Sequence, residues 1–247
     1  MTPHGTQRAA LPLVLLPGMM CDERLFEPQI AALGGERAVH VLPLTGADSV
    51  DRLAGEVLAQ APPRFALAGL SMGGIVAMAM VRQATDRVDR LALLDTNPLP
   101  DAPERIGVRN RQIACAEAGG LRDILRDEMK PHYLGDGPNR EAILDLCMAM
   151  GVALGPSAFV RQSRALRDRP DQCSTLARYG RPALVLCGRD DVLCPPERHR
   201  LMADLLADAD LVVVDGAGHL PTLEQPDVTN DALCRWLTRA PRTASAG

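Results

Sequence analysis

The sequence lacks an excess of charge of either sign. Its 27 Lys and Arg against 31 Asp and Glu leave a net charge of -4. The basic residues are spread along the chain, so there is no electrostatic footprint for nucleic acid. No long hydrophobic run opens the chain either. The first apolar stretch, Leu11 to Leu16, is far too short for a signal-peptide core or a spanning helix, and a soluble cytoplasmic protein with no membrane partner is expected. Paired cysteines are absent too. Seven is an odd number and none stand at CxxC spacing, which suits free thiols in a reducing compartment. Cys187, Cys194 and His199 match no zinc-ligand spacing, so no metal is expected. Neither an internal repeat nor a low-complexity tract occurs, and Pro241 to Gly247 reads as a frayed tail.

What is present is apolar material for one large domain, with 47% of 247 residues hydrophobic. Short runs rich in Val, Leu and Ala recur at Leu11–Leu16, Ala38–Leu44, Arg64–Ala68, Val88–Leu94, Pro182–Cys187 and Asp210–Val214. Each is closed by Gly, Pro, Asp or Thr, as strands buried on both faces would be. Helical spacing fills Arg24–Leu33, Val50–Gln60, Gly73–Gln83, Glu197–Leu206 and Asp227–Thr238 between them. That alternation predicts an α/β fold with a doubly wound, mostly parallel sheet. It fails once, between Asp101 and Tyr179, where helical patterns run without a convincing strand. Residues 99–179 therefore read as an inserted helical cap, and 1–98 with 180–247 as the core. Expected cap helices are Ala102–Glu117, Leu121–Glu128, Arg140–Gly151 and Pro156–Arg167, punctuated by Gly119-Gly120, Gly135 to Pro138 and Gly155-Pro156.

Gly69-Leu70-Ser71-Met72-Gly73 fits the pattern G-x-S-x-G. From average residue usage a chain of this length matches it by accident roughly one time in ten. The setting adds weight: an apolar strand enters the motif and a helix-compatible run, Gly74 to Met80, leaves it. Two glycines permit a sharp turn that holds the serine in a strained conformation and brings helix close to strand. Such a turn places Ser71 at a helix N-terminus, where the Met72 N–H is a candidate donor to a developing oxyanion. A glycine-rich turn without chemistry is the plain alternative.

A serine hydroxyl needs a base, and the base needs an orienting group. Asp215 to Pro221 follows the last expected strand, and its glycines allow a turn that carries His219 toward the serine. Of the other histidines, His4 is terminal, His40 lies in a strand pattern, His132 falls in the cap, and His199 stands on a polar helical stretch that suggests the surface. Three carboxylates compete to orient His219. Asp190 and Asp191 follow the strand ending at Cys187, and Asp95 follows Leu94, all at strand C-termini where open α/β sheets build their sites.

Leu15-Leu16-Pro17-Gly18, Gly69 to Gly73, Gly188-Arg189-Asp190-Asp191 and Gly218-His219-Leu220-Pro221 with Glu224 and Pro226 together resemble the α/β-hydrolase superfamily. The resemblance spans 11–98 and 180–238, and its compact form looks like small bacterial carboxylesterases of the pimeloyl-carrier-protein methyl ester esterase type. It implies a catalytic triad in the order Ser71, Asp191, His219, favouring Asp191 over Asp190 and Asp95 because of its spacing from Gly188 and Pro195. It also implies a second oxyanion donor, the Met19 N–H, although Pro17-Gly18 replaces the family's usual His-Gly pair. A six-stranded sheet without a leading hairpin is expected. Serine at the elbow argues against dehalogenase chemistry, which uses aspartate there.

The implied reaction is hydrolysis of a small-molecule ester or thioester through an acyl-enzyme on Ser71, without cofactor. An acyl carrier is a further way of presenting the substrate. Perhydrolase or acyltransferase chemistry on the same triad, and a non-catalytic ligand-binding protein, are the rival readings. Met129, Met148, Met150, Phe159 and Leu166 offer an apolar wall for the pocket or, equally, ordinary packing. Arg161, Arg164 and Arg167 form either a basic stripe for an acidic partner or a solvated face balanced by Asp168 and Asp171.

Overall fold

Six apolar runs pair side by side into one sheet, and the stretches between them cover both of its faces. The computed structural model describes residues 10–242; His4 and residues 243–247 of the expected tail lie outside them. Strands β1 (Leu13–Leu16), β2 (Val39–Val41), β3 (Phe65–Leu70), β4 (Val88–Leu94), β5 (Ala183–Gly188) and β6 (Ala209–Val214) take the order β2-β1-β3-β4-β5-β6. All five pairings are parallel. Helices α1 (Glu27–Leu33), α2 (Val50–Gln60), α3 (Met72–Ala84), α4 (Pro103–Glu117), α5 (Leu121–Asp123), α6 (Arg140–Arg167), α7 (Cys173–Ala177), α8 (Pro196–Leu205), α9 (Pro221–Glu224) and α10 (Pro226–Thr238) make the connections.

Burial accounts for the strand character. β1, β3 and β5 are buried at every residue, as strands covered on both faces must be. β2 is an edge strand and shorter than the run Ala38–Leu44, because it has one neighbour and Pro43 has no N–H to offer. Alternate side chains separate into two layers. Val14, Leu16, Leu67, Leu93 and Val185 pack with α2 and α3, whereas Leu13, Leu15, Ala68, Leu94 and Leu186 pack with α1 and α10. The Ser49 side chain caps α2 by accepting the Arg52 N–H, and proline opens α4, α8, α9 and α10.

Between β4 and β5 the described residues contain helices and no strand. The expected Leu121–Glu128 helix becomes α5 followed by a π-helical stretch, Ile124–Met129. Helix α6 joins the two segments expected around Gly155, where φ of 77° breaks the helical path. By length and apolar composition α6 would pass as a membrane span, but the break leaves two pieces, each shorter than the roughly 20 residues a crossing takes. The five apolar residues expected to share one wall are divided among clusters. Leu166 packs beside the sheet, Met150 on its opposite face, and Phe159 with Met148 among Met20, Ile113 and Leu125; Met129 borders two clusters. The basic stripe is largely neutralised, as Arg164 pairs with Glu117 and Arg167 with Asp168, while Arg161 donates to the Thr45 carbonyl. Asp171 instead accepts the Cys173 N–H at the start of α7.

The tightest crossing is that of α3 against β1. A Cβ on Gly73 would stand 2.0 Å from the Leu16 carbonyl oxygen, and one on Gly69 2.3 Å from the Gly73 carbonyl. Gly73→Ala should therefore force helix and strand apart and destabilise the protein by about 3 kcal/mol. Urea unfolding checks this: an unchanged midpoint would mean the crossing tolerates a methyl group.

Candidate active site

The β3–α3 turn presents Ser71 with φ 54° and ψ -115°, a left-handed conformation that a side chain adopts only under constraint. The constraint is visible in its hydrogen bonds. The Ser71 N–H donates to the Leu94 carbonyl at 2.9 Å, and its own carbonyl accepts from the Gly74 and Ile75 N–H groups and from the Thr96 hydroxyl at 2.7 Å. Thr96 is itself anchored, since its N–H donates to His199 Nε2 at 3.1 Å.

His199 corrects a sequence expectation. It is fully buried, because α8 turns this position toward the ends of β4 and β5 while its polar neighbours face solvent. Nδ1 lies 3.3 Å from the Pro195 carbonyl, so Nδ1–H donates there and Nε2 accepts, the neutral tautomer. Burial lowers its pKa to about 4, against the pull of the Pro195 carbonyl and of Asp191.

His219 reaches the serine from the loop after β6. Its Nε2 lies 2.9 Å from Ser71 Oγ and its Nδ1 2.8 Å from Asp191 Oδ2. Both His219 and Asp191 are nearly inaccessible. The loop is held by Glu224, whose carboxylate accepts three N–H groups at 2.9 Å each, from Gly135, Gly218 and Leu220. Burial raises the Glu224 pKa, and those N–H groups oppose the rise. The His219 N–H donates to the Tyr133 carbonyl at 2.7 Å, and the Tyr133 ring stacks on the imidazole with centroids 6.3 Å apart. A Cβ on Gly218 would stand 2.5 Å from the Gly135 nitrogen, so the segment between β4 and β5 closes directly over the histidine loop. In the sequence the only local signal of this task is the position of Glu224, five residues after His219.

The three candidate carboxylates sit in different surroundings. Asp190 is exposed. Asp191 uses Oδ1 to accept the Leu193 and Cys194 N–H groups at 2.8 and 3.0 Å, and Oδ2 to hold His219. Burial alone would raise its pKa, but the His219 ring and these hydrogen bonds lower it below the usual carboxylate range. Asp95 is fully buried with φ 43°, accepts the Gly188 N–H at 2.9 Å, and leaves Oδ2 unpaired. Burial, then the nearby Asp191 charge, pushes its pKa well above the usual range. The structure thus brings together Ser71, His219 and Asp191, and leaves Asp95 beside Asp191 with its carboxyl pushed toward the protonated form.

The Met19 and Met72 N–H groups, the two expected oxyanion donors, have no partner among the described residues. The neighbouring Met20 N–H is fixed by Gln162 Oε1 at 2.9 Å, and a Cβ on Gly18 would come within 3.5 Å of Ser71 Cβ. The loop after β1 therefore lies against the serine. Asp191, Cys194 and His219 offer ligand atoms within 4.8 Å of one another. Both His219 nitrogens and both Asp191 oxygens are already engaged, however, and burial, aided by the Asp191 charge, keeps the Cys194 thiol protonated. That donor set does not suit a cation.

The depressed His199 pKa gives a stability prediction. Its neutral form is favoured by folding, so the contribution is present above the unfolded value of about 6.5 and is lost as pH falls toward about 4. The full span corresponds to about 3 kcal/mol. His199→Gln, which can still accept the Thr96 N–H, should show a smaller loss of Tm between pH 7 and 4.5 than wild type. Parallel acid-induced losses would refute the assignment.

Three comparisons bear on this geometry. The Alpha/beta hydrolase family profile matches residues 13–232. A pimeloyl-[acyl-carrier protein] methyl ester esterase of Xanthomonas campestris is 27% identical over 246 residues, covering 93% of this chain and 96% of its own. A protein of Yersinia enterocolitica, provisionally named carbamate hydrolase RutD, is 26% identical over 93% of this chain and 88% of its own. Among solved structures, a thermophilic esterase from Thermogutta terrifontis superposes with a TM-score of 0.84 at 29% identity, covering 93% of this chain and 90% of that one. The enol-lactonase of Burkholderia xenovorans LB400, at 23% identity, shares the fold with a TM-score of 0.85 over 95% and 94%. With the profile match running from β1 into α10, the chain belongs to the alpha/beta hydrolase family.

Proposed function

We propose that this protein is a serine hydrolase that cleaves a carboxylic ester or thioester of a small molecule through an acyl-enzyme on Ser71. The observation that carries the reading is the continuous chain from Ser71 Oγ to His219 Nε2 at 2.9 Å and from His219 Nδ1 to Asp191 Oδ2 at 2.8 Å. Ser71 attacks the carbonyl carbon, His219 takes the hydroxyl proton on Nε2, and ionised Asp191 stabilises the imidazolium through Nδ1–H. The tetrahedral oxyanion is received by the N–H groups of Met19 and Met72, the latter at the N-terminus of α3 where the helix dipole favours negative charge. His219 returns its proton to the leaving group. Water, deprotonated by His219, then releases the acid.

In this reading residues 99–179 act as the cap over the site, with Tyr133 and Gly135 meeting the His219 loop. Ester chemistry is supported by the names of the Xanthomonas and Thermogutta relatives. Carrier-bound substrates, suggested by the first of these, receive little support from Arg164 and Arg167, whose charges are met within the protein.

A fluorophosphonate probe followed by intact mass should add one adduct to wild type and none to Ser71→Ala. His219→Ala should label far more slowly. Asp191→Asn should lower kcat on a p-nitrophenyl ester by about 10^4-fold, because the histidine loses its correct tautomer. A folded wild type that neither labels nor turns over would remove the hydrolase reading in favour of a ligand-binding protein.

A further inference from the structure

A buried ion cluster lies beside the loop that follows β1. Asp101, just past β4, shares its carboxylate between two guanidiniums: Arg109 on α4 donates through Nε, and Arg169 beyond α6 donates through Nη1 at 2.7 Å. All three side chains are more than nine-tenths buried, at 9%, 6% and 7% exposure for Arg109, Asp101 and Arg169. Burial would raise the Asp101 pKa, yet the two arginines lower it, so the carboxylate is ionised. Two cations against one anion leave the cluster with one uncompensated positive charge.

The two arginines differ in how they are used. Arg169 also donates to the Leu99 and Leu166 carbonyls at 2.9 and 3.1 Å, which makes it a strut between β4's exit and α6. Arg109 has no such backbone partners. Its Nη1 meets only the Met19 thioether at 4.0 Å, and its Nη2 donates to no described residue. A thioether is a weak acceptor for a guanidinium. Arg109 is therefore a largely buried cation whose Nη2 is taken by no protein acceptor among the described residues, next to the side chain of Met19, the proposed oxyanion donor.

We propose that Arg109 is a specificity-determining residue that recognises a carboxylate carried by the substrate ester, a few bonds from the scissile carbonyl. The inference rests on the hydrolase reading of Ser71. A carboxylate is planar and accepts two parallel N–H bonds, matching the free edge of the guanidinium. Its charge would neutralise the cluster, and burial makes that pairing stronger than at the surface. Neutral esters would give the free Arg109 donors no anionic acceptor, so the site discriminates against them.

The test compares matched esters with the carboxylate on either side of the scissile bond. The acyl arm sets mono-4-nitrophenyl glutarate against 4-nitrophenyl pentanoate. The alcohol arm sets 4-acetoxybenzoate against its methyl ester. Wild type should favour the charged member in one arm, which identifies the side that meets Arg109. In that arm Arg109→Met should lower the charged-to-neutral ratio of kcat/KM by about 10- to 100-fold, mainly through KM. Arg109→Lys should keep part of the preference and guards against a folding defect in the methionine variant. Equal losses for charged and neutral esters would mean that Arg109 merely supports Met19, and a wild-type preference for the neutral ester in both arms would also overturn the proposal. Calorimetric binding of glutarate to Ser71→Ala, weakened by adding Arg109→Met, reads anion recognition without catalysis. Failure of every ester with glutarate binding intact would sink the hydrolase reading and spare the anion site; turnover without glutarate binding or charge preference would do the reverse.

Discussion

The architecture depends on one close approach, that of α3 against β1 behind Ser71. Gly73 lies where any side chain would strike the Leu16 carbonyl, and Gly69 where it would strike Gly73. Only because that contact is tight can the chain leave β3 and enter α3 in a single residue, with Ser71 at positive φ. Strain of this kind costs roughly 1–3 kcal/mol and persists only when the surroundings hold it. Here the Leu94 carbonyl, the Thr96 hydroxyl and, through Thr96, His199 do so. The elbow is permitted by its own glycines and held from the neighbouring strand and from α8.

The same economy appears in the acidic residues around the site. Asp191 and Asp95 are buried and Glu224 partly so, yet their partners send them in different directions. Asp191 faces an imidazole and two backbone N–H groups and is held ionised. Asp95 has one N–H and a neighbouring anion, and its pKa is pushed up. Glu224 collects three N–H groups and thereby joins the histidine loop to the segment that covers it. Burial is common to all three; the number of donors and the sign of the nearest charge decide the rest.

Legibility followed the range of the interaction. The six strands and the helices of the sheet layers were readable because one- or two-sided burial imprints a local period on the sequence. The break at Gly155 was readable because a Gly-Pro pair interrupts an otherwise apolar helix. Ser71 and His219 were readable because each sits in a glycine-containing turn after an apolar strand. The short helices α7 and α9 left no comparable mark, being too brief for a period to show. His199 was misread for a related reason: its neighbours are polar, and nothing in them tells that α8 turns this one position inward.

By itself the sequence determined the alternation of strand and helix and the sharp turn at Ser71, which follow from local spacing and backbone sterics, while the order Ser71, Asp191, His219 was implied by the resemblance of its motifs. Tertiary structure decided which carboxylate meets His219 across 28 residues, and that Ser71 and His219, 148 residues apart, come within 2.9 Å. It also decided that His199 lies inside, that Glu224 clamps two loops, and that Arg109 is left with unused donors beside Met19. These are pairings between segments distant in the chain. Strand order and the burial of each partner set them, and neither is written in the residues on either side.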